Sequence, residues 1–490
     1  MQVFIYGFIW KYQIKEKICV RVPKNEKFEQ RQPLQEGQEF PLTIKRIGIN
    51  GEGIGYFKRQ AVFVEGALPG EVIVGQVEEV KRNRAIASIK YIREASPSRQ
   101  KAPCPVYKIC GGCQLQHAEY GEQLWMKQDL VLQSFERYAP TVPEIRETIG
   151  MENPWRYRNK SQWQTGEGKK GRVEAGLYSS DSNQLVDLTN VGCMVEKSIL
   201  NKITKAITVF MKNEEVPVHT SNQKGVKTIV VRANEQKSEV QVTLVTSSVD
   251  LPEQEELVDF LRSSFAEIKS IHHHVQNESS PTVFGGTTKR LWGKDTIKYN
   301  MQDFSFHLSP EAFFQLNSEQ ASTLYDEAKK AAKLTGREKV VDAYCGSGTI
   351  GLWMSPDARE VRGMDMIKAS IQDANKNAKQ AGASHARFYH GKAEEMMLQW
   401  QKENWRPDVI VADPPRTGCG EALLNTIGKV KPKRFVYVSC NPSTLAKDAA
   451  YLKKAGYHPE YAQPVDMFPQ TSQVEAVVPF VYKPEKKGKK

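Results

Sequence analysis

The sequence predicts an α/β chain with two units ahead of its main sheet: a small β-barrel near the N-terminus and an α+β segment in the middle. Three observations carry this. From about residue 310 helical and strand patterns alternate, which calls for a mostly parallel sheet with helices on its faces. Between residues 37 and 95 five short β-favouring runs are separated by glycine turns, the pattern of a small closed barrel. Near the end, Phe435-Val-Tyr-Val-Ser runs straight into Cys440-Asn-Pro, so a buried strand stops where the backbone turns, and a helix is expected to open near Ser443 or Thr444.

At 490 residues the chain can hold several domains, and its formal net charge of +12 suits a partner rich in phosphate. Nucleic acid is the leading expectation. No apolar run approaches the roughly 20 residues of a membrane helix. The patch from Val3 to Trp10 has neither a basic residue before it nor a small-residue cleavage site after it, so it makes a poor signal peptide and the chain is expected to be cytoplasmic. Residues 1–36 read as a flexible extension and 483–490 as a basic tail.

The barrel, residues 37–96, carries Lys58, Arg59, Lys81, Arg82, Arg84 and Lys90 beside Tyr56 and Phe57. That surface suits single-stranded RNA; a packing module with solvated charges is the alternative. The central segment, 97–309, opens with Cys104, Cys110 and Cys113 in a C-x5-C-x2-C loop, with Cys193 further on. In a cytoplasmic chain such cysteines are ligands or catalysts more often than disulfides. Four thiolates, with Gly111-Gly112 to fold the backbone around them, suit zinc or an iron-sulfur cluster, and spacing does not choose between the two. An amphipathic helix follows from about His117 to Tyr138. Beyond it Trp155-Arg-Tyr-Arg158-Asn-Lys160-Ser-Gln-Trp163 alternates cations and aromatics, either an RNA-contacting face or a solvated strand edge. His272-His-His274 is assigned no shared role, because neighbours on a strand point to opposite faces.

In the unit 310–482, Val340-Val-Asp-Ala-Tyr344-Cys-Gly346-Ser-Gly348 is a strand entering a glycine turn, the way nucleotide-like cofactors are seated. Asp365 closes the next strand, placed to accept from ribose hydroxyls. The lack of G-x-G-x-x-G speaks for S-adenosylmethionine over a dinucleotide. Asp413-Pro-Pro-Arg416 ends a later strand. It resembles the base-holding loop of amino-methyltransferases, except that Arg416 stands where those place an aromatic. Cys440 ends the strand after that, where a helix N-terminus is expected to lower its pKa, and Glu475 precedes the last strand.

Carbon 5 of uracil takes a methyl group only after a thiolate has added at carbon 6, and a base must then remove the carbon 5 proton. Cys440 and Glu475 supply those roles. Asp413 and Arg416 could orient the base, Gln315 in Phe-Phe-Gln-Leu-Asn could contact the cofactor, and the uridine has to leave its stack.

Taken in order, these motifs resemble the RNA uracil-C5 methyltransferase family from residue 37 to about 482. The resemblance implies a TRAM barrel of OB-like form, a central iron-sulfur domain and a Rossmann-like S-adenosylmethionine methyltransferase domain. It implies Cys440 as nucleophile, Glu475 as proton acceptor, and Gln315, Tyr344, Asp365 and Asp413 as cofactor contacts. Cys104, Cys110, Cys113 and Cys193 match the ligands of a [4Fe-4S] cluster. The expected enzyme is a monomer that makes 5-methyluridine in a single-stranded loop of 23S ribosomal RNA. The N-terminal barrel favours that substrate over the T-loop of transfer RNA. Base-amino methylation through Asp413-Pro-Pro and RNA binding without catalysis are the rival readings. Asp365 where family members often carry glutamate, and Thr349 where some carry asparagine, depart from the family pattern.

Overall fold

The computed structural model describes residues 34–168, 171–276 and 282–483. The expected N-terminal extension up to residue 33 and the basic tail beyond residue 483 lie outside these.

Five strands, β1 (Glu39–Ile47), β2 (Gly53–Phe57), β3 (Gln60–Val64), β4 (Val72–Lys81) and β5 (Arg84–Glu94), close into a barrel of order β1-β2-β3-β5-β4. Strand β1 alternates buried Phe40, Leu42 and Ile44 with exposed Glu39, Pro41, Thr43 and Lys45, so one face fills the barrel. Gly53 has to be glycine: a Cβ there would lie 2.7 Å from the Ala67 carbonyl.

The barrel is fixed to the first helix of the central segment. Helix α1 (Tyr120–Tyr138) shares a core with Ile47 and Leu68 of the barrel, and Arg46 pairs with Asp129 at 3.0 Å and Glu136 at 3.1 Å on that helix. The helix begins at Tyr120, not His117. His117 is buried in the preceding turn, its Nδ1 2.6 Å from the Tyr107 hydroxyl.

After the short β6 (Glu144–Ile145) comes the central sheet, built from β7 (Lys160–Glu167), β8 (Val173–Tyr178), β9 (Leu185–Asp187), β10 (Val226–Ala233), β11 (Val240–Thr246), β12 (Ile268–Gln276) and β13 (Gly286–Gly293). Its order is β13-β12-β11-β10-β7-β8-β9, and α2 (Ser198–Asn213) and α3 (Gln254–Ser264) share its core. Because β7 lies between β10 and β8 it is not a strand edge; Ser161 and Trp163 are buried on one face, and Lys160, Gln162 and Gln164 are half-buried on the other. Trp163 is fully buried and donates to Glu196 at 3.1 Å, and Arg158 points inward. His272, His273 and His274 are each buried in β12.

The C-terminal unit begins with the hairpin β14 (Ile297–Met301) and β15 (Phe304–Leu308), then α4 (Ser318–Ala332). Strands and helices then alternate: β16 (Lys339–Ala343), α5 (Thr349–Met354), β17 (Glu360–Asp365), α6 (Lys368–Gln380), β18 (Ala386–His390), α7 (Ala393–Lys402), β19 (Val409–Ala412), α8 (Gly420–Val430), β20 (Arg434–Ser439) and α9 (Pro442–Lys454). Strands β21 (Tyr457–Pro459), β22 (Tyr461–Val465) and β23 (Glu475–Tyr482) complete a sheet of order β18-β17-β16-β19-β20-β23-β22-β6 with β21 beside β23. The first five strands of that order are parallel, and β23 runs against β20. The chain leaves β16 toward β17 and returns on the other side through β19, so a crevice opens at the carboxyl ends of β16 and β19. Among the described residues no helix is long and apolar enough to cross a membrane.

Candidate active site

Four of the predicted residues gather at that edge because each directly follows or closes a strand, whereas Gln315 lies in the segment before α4. Tyr344 follows β16, Asp365 ends β17, Asp413 follows β19 and Cys440 follows β20. Glu475 reaches the same edge from the opposite direction: Ser439 pairs with Ala476 in the antiparallel register of β20 and β23, which puts Glu475 across from Cys440.

Helix α9 opens at Pro442, one residue earlier than expected. Asn441 caps it by accepting from the Ser443 amide at 3.1 Å, and proline at the first helical position is preset for a helix. Asn441 Nδ2 also donates to the Arg416 carbonyl at 3.0 Å, and Thr444 Oγ1 donates to the same carbonyl at 3.3 Å. Nucleophile helix and Asp-Pro-Pro-Arg loop are thereby held together. A second tie runs beneath: Tyr437 donates to Asp448 at 2.7 Å, the Cys419 amide donates to Asp448 at 3.0 Å, and Tyr344 donates to the Cys419 carbonyl at 3.1 Å. Sequence reasoning missed this second group, and only the Asn-Pro start of α9 carried a local signal for the first.

The electrostatics differ from expectation in sign. A helix N-terminus favours thiolate, yet the Cys440 thiol is pushed up to about 12, first by burial and then by the charges of Glu475 and Asp413; Arg416 pulls it back only partly. Burial and Asp413 likewise hold Glu475 well above the usual carboxylate range, and Glu475 Oε2 has no hydrogen-bond partner among the described residues. Burial raises Asp413 too. Two carboxyls and a thiol thus share one low-dielectric site with a single adjacent guanidinium.

The turn after β16 has the form a cofactor needs. Gly346 faces open space, and its amide donates to Asp365 at 3.1 Å, while Ile367 donates to the other carboxylate oxygen at 2.8 Å. Gly348, at φ +82°, stands where a Cβ would come within 2.8 Å of Phe388. Tyr344 holds φ +64°, strained for an aromatic residue. Asp342 accepts from Gly351 at 2.7 Å, its second oxygen is buried without a partner among the described residues, and burial raises it to about 8. Met366 and Ile367 are exposed beside Asp365. Gln315 is buried in the segment before α4, where its carbonyl accepts from Asn159 at 2.9 Å.

Cys104, Cys110, Cys113 and Cys193 line one cavity with Val106, Leu177 and Arg158. Burial raises Cys110 and Cys193 and takes Cys113 up to about 11. Among the described residues no group of three or more His, Cys, Asp or Glu side chains is placed to hold a metal ion. Arg158 lines the cavity with a buried Nε that has no partner among the described residues, a cation facing four sulfurs, and that donor set fits an anionic thiolate-bound group. Asn201 clamps the Cys193 backbone, accepting from its amide at 3.1 Å and donating to its carbonyl at 2.8 Å.

A family model described as tRNA (uracil-5-)-methyltransferase matches residues 287–482, and a TRAM domain model matches residues 33–90. A Bacillus anthracis protein named as an uncharacterized RNA methyltransferase is 53% identical over 454 residues, covering 92% of this chain and 98% of that one. One of the same description from Halalkalibacterium halodurans is 49% identical over 454 residues, covering 92% and 97%. Among solved structures, the Pyrococcus abyssi tRNA (uracil-54, C5)-methyltransferase in complex with S-adenosyl-L-homocysteine is similar with a TM-score of 0.70 and 26% identity, over 90% of this chain and 100% of that one. A methyltransferase fold with five parallel strands, an N-terminal TRAM barrel and these matches place the chain in the RNA uracil-5 methyltransferase family, whose methyl donor is S-adenosylmethionine.

Proposed function

We propose that this protein methylates carbon 5 of a uridine in RNA, with Cys440 as the nucleophile and Glu475 as the proton acceptor. The observation that carries the reading is the register of β20 and β23, which faces a glutamate toward a cysteine at the mouth of a cofactor crevice. S-adenosylmethionine, when bound, supplies an electrophilic methyl group. Tyr344, Asp365, Asp413 and Gln315 would hold it, with the open space before Gly346 left for its approach.

The protein's own residues do the rest. The Cys440 thiolate adds to carbon 6 of the flipped base, forming a carbon–sulfur bond and moving the ring electrons to carbon 5, which takes the methyl. Glu475 then accepts the carbon 5 proton, and the returning electron pair expels the thiolate, so Cys440 is regenerated. Arg416 favours the charged forms of Glu475 and of the Cys440 thiol.

Cys104, Cys110, Cys113 and Cys193 would hold a [4Fe-4S] cluster, whose part is structural because no step above transfers an electron. Resemblance to family members with an N-terminal TRAM barrel supports 23S ribosomal RNA as substrate. The Pyrococcus abyssi neighbour, described as acting on uracil 54 of tRNA, supports transfer RNA as the second reading.

The test incubates the purified protein with S-adenosylmethionine and either unmodified 23S RNA or unmodified transfer RNA, then maps 5-methyluridine by mass spectrometry. Label in 23S fragments alone supports the first substrate, and label in the T-loop supports the second. Methylation at any atom other than carbon 5 of uracil would overturn the reading.

A further inference from the structure

The cavity that holds Cys440 is shared with the barrel. Its lining includes Ile49, from the turn between β1 and β2, with Leu130, Ser134, Arg416, Cys440 and Val474. That turn is fastened in place. Ser472 Oγ donates to the Ile49 carbonyl at 2.9 Å, Gln133 donates to the Ile47 carbonyl at 3.4 Å, and Asn50 donates to Glu52 at 2.8 Å within the turn. Gly51, at φ +93°, stands where a Cβ would come within 2.9 Å of the Gln114 Cβ, in the cysteine loop.

Two isoleucines in this stretch have different fates. Ile47 is 1% exposed and anchors the barrel to α1, whereas Ile49 is 40% exposed at the cavity wall. A rigidly held, apolar side chain left open beside the nucleophile has a face to offer. A uridine drawn out of its stack leaves its neighbour with an uncovered base face, and apolar side chains pack against such faces.

We propose that Ile49 is a specificity-determining residue: it packs against the nucleotide adjoining the target uridine, so that the barrel reads RNA inside the catalytic cavity. This rests on the methylation reading above.

The test uses the full chain, wild type and Ile49→Ala, on an RNA that the wild type converts to 5-methyluridine, intact or with an abasic site on either side of the target. Ile49→Ala should raise KM by about 5- to 30-fold, the scale of about two apolar carbons lost from a base face, with kcat and melting temperature unchanged. Ile49→Leu should restore KM. One abasic neighbour should cost the wild type a similar factor and cost Ile49→Ala nothing further. An unchanged KM for Ile49→Ala, or an equal abasic penalty in both proteins, would overturn the proposal. If the wild type methylated no RNA, the activity reading itself would fail, and equilibrium binding of the same intact and abasic RNAs would decide the role of Ile49 by the same ratio.

Discussion

As the proposed nucleophile, Cys440 would have to be ionised to attack carbon 6, yet its thiol is pushed up to about 12 by burial, Glu475 and Asp413. Below that value the thiolate fraction grows tenfold with each pH unit. Single-turnover methylation should therefore keep rising from about pH 6.5 to pH 9 without a plateau near neutrality. Arg416→Gln removes the charge that lowers both Cys440 and Glu475, and should slow the reaction at neutral pH by about tenfold or more, one pKa unit being tenfold in ionisation. A rate that levels off near pH 7 in the wild type would refute this assignment. Glu475→Gln leaves the thiol able to add but removes the proton acceptor, so a covalent RNA–protein species should accumulate on a denaturing gel. The residue types were legible in the sequence. The sign of the thiol shift was not, because a helix N-terminus is a local feature, while the burial and the two carboxyls come from strands far apart in the chain.

The segment between β22 and β23 joins every unit of the molecule. Lys127 of α1 and Asp466 form a fully buried ion pair, Tyr120 donates to Asp466 at 2.9 Å, and Tyr157 donates to the Pro469 carbonyl at 3.0 Å. The Gln470 carbonyl accepts from the amides of Gln114 at 3.0 Å and Leu115 at 2.9 Å, directly after Cys113. Removing one member of a buried pair leaves an uncompensated charge, worth about 3–5 kcal/mol. Lys127→Met should lower the unfolding free energy by that order and reduce turnover, because Glu475 directly follows the segment. Lys127→Met with Asp466→Leu should be more stable than Lys127→Met alone; equal stability would show the pair is not coupled. The barrel and the alternating strands were legible from periodicity and glycine turns. Nothing local marked Lys127 or Asp466, whose partnership exists only once the sheet has closed. The Trp155 to Trp163 stretch was half legible for a related reason: alternation shows that two faces differ, not where the strand sits in its sheet, and here β10 and β8 flank β7, so it is not a strand edge.

Across the whole molecule, the cysteine cavity, the barrel and the methyltransferase sheet meet at that segment, so the state of the four cysteines should be felt at Glu475. Cys193→Ser should lower bound iron and acid-labile sulfide, and should cost thermal stability and RNA affinity before it changes the methyl-transfer step measured at saturating RNA. Unchanged iron content, or full stability after iron is stripped from the wild type, would contradict a structural cluster. The order of the motifs along the chain was legible. Their convergence was not, since it depends on β23 returning antiparallel beside β20. In the proposed reaction this convergence makes Cys440 a nucleophile toward uracil. The most direct test supplies S-adenosylmethionine and a methylatable RNA whose target uridine carries fluorine at carbon 5, where no proton can be removed, and maps any RNA-linked peptide by mass spectrometry. A cofactor-dependent adduct at Cys440, absent in Cys440→Ala, is the expected result; 5-methyluridine formed by Cys440→Ala on ordinary RNA would contradict it.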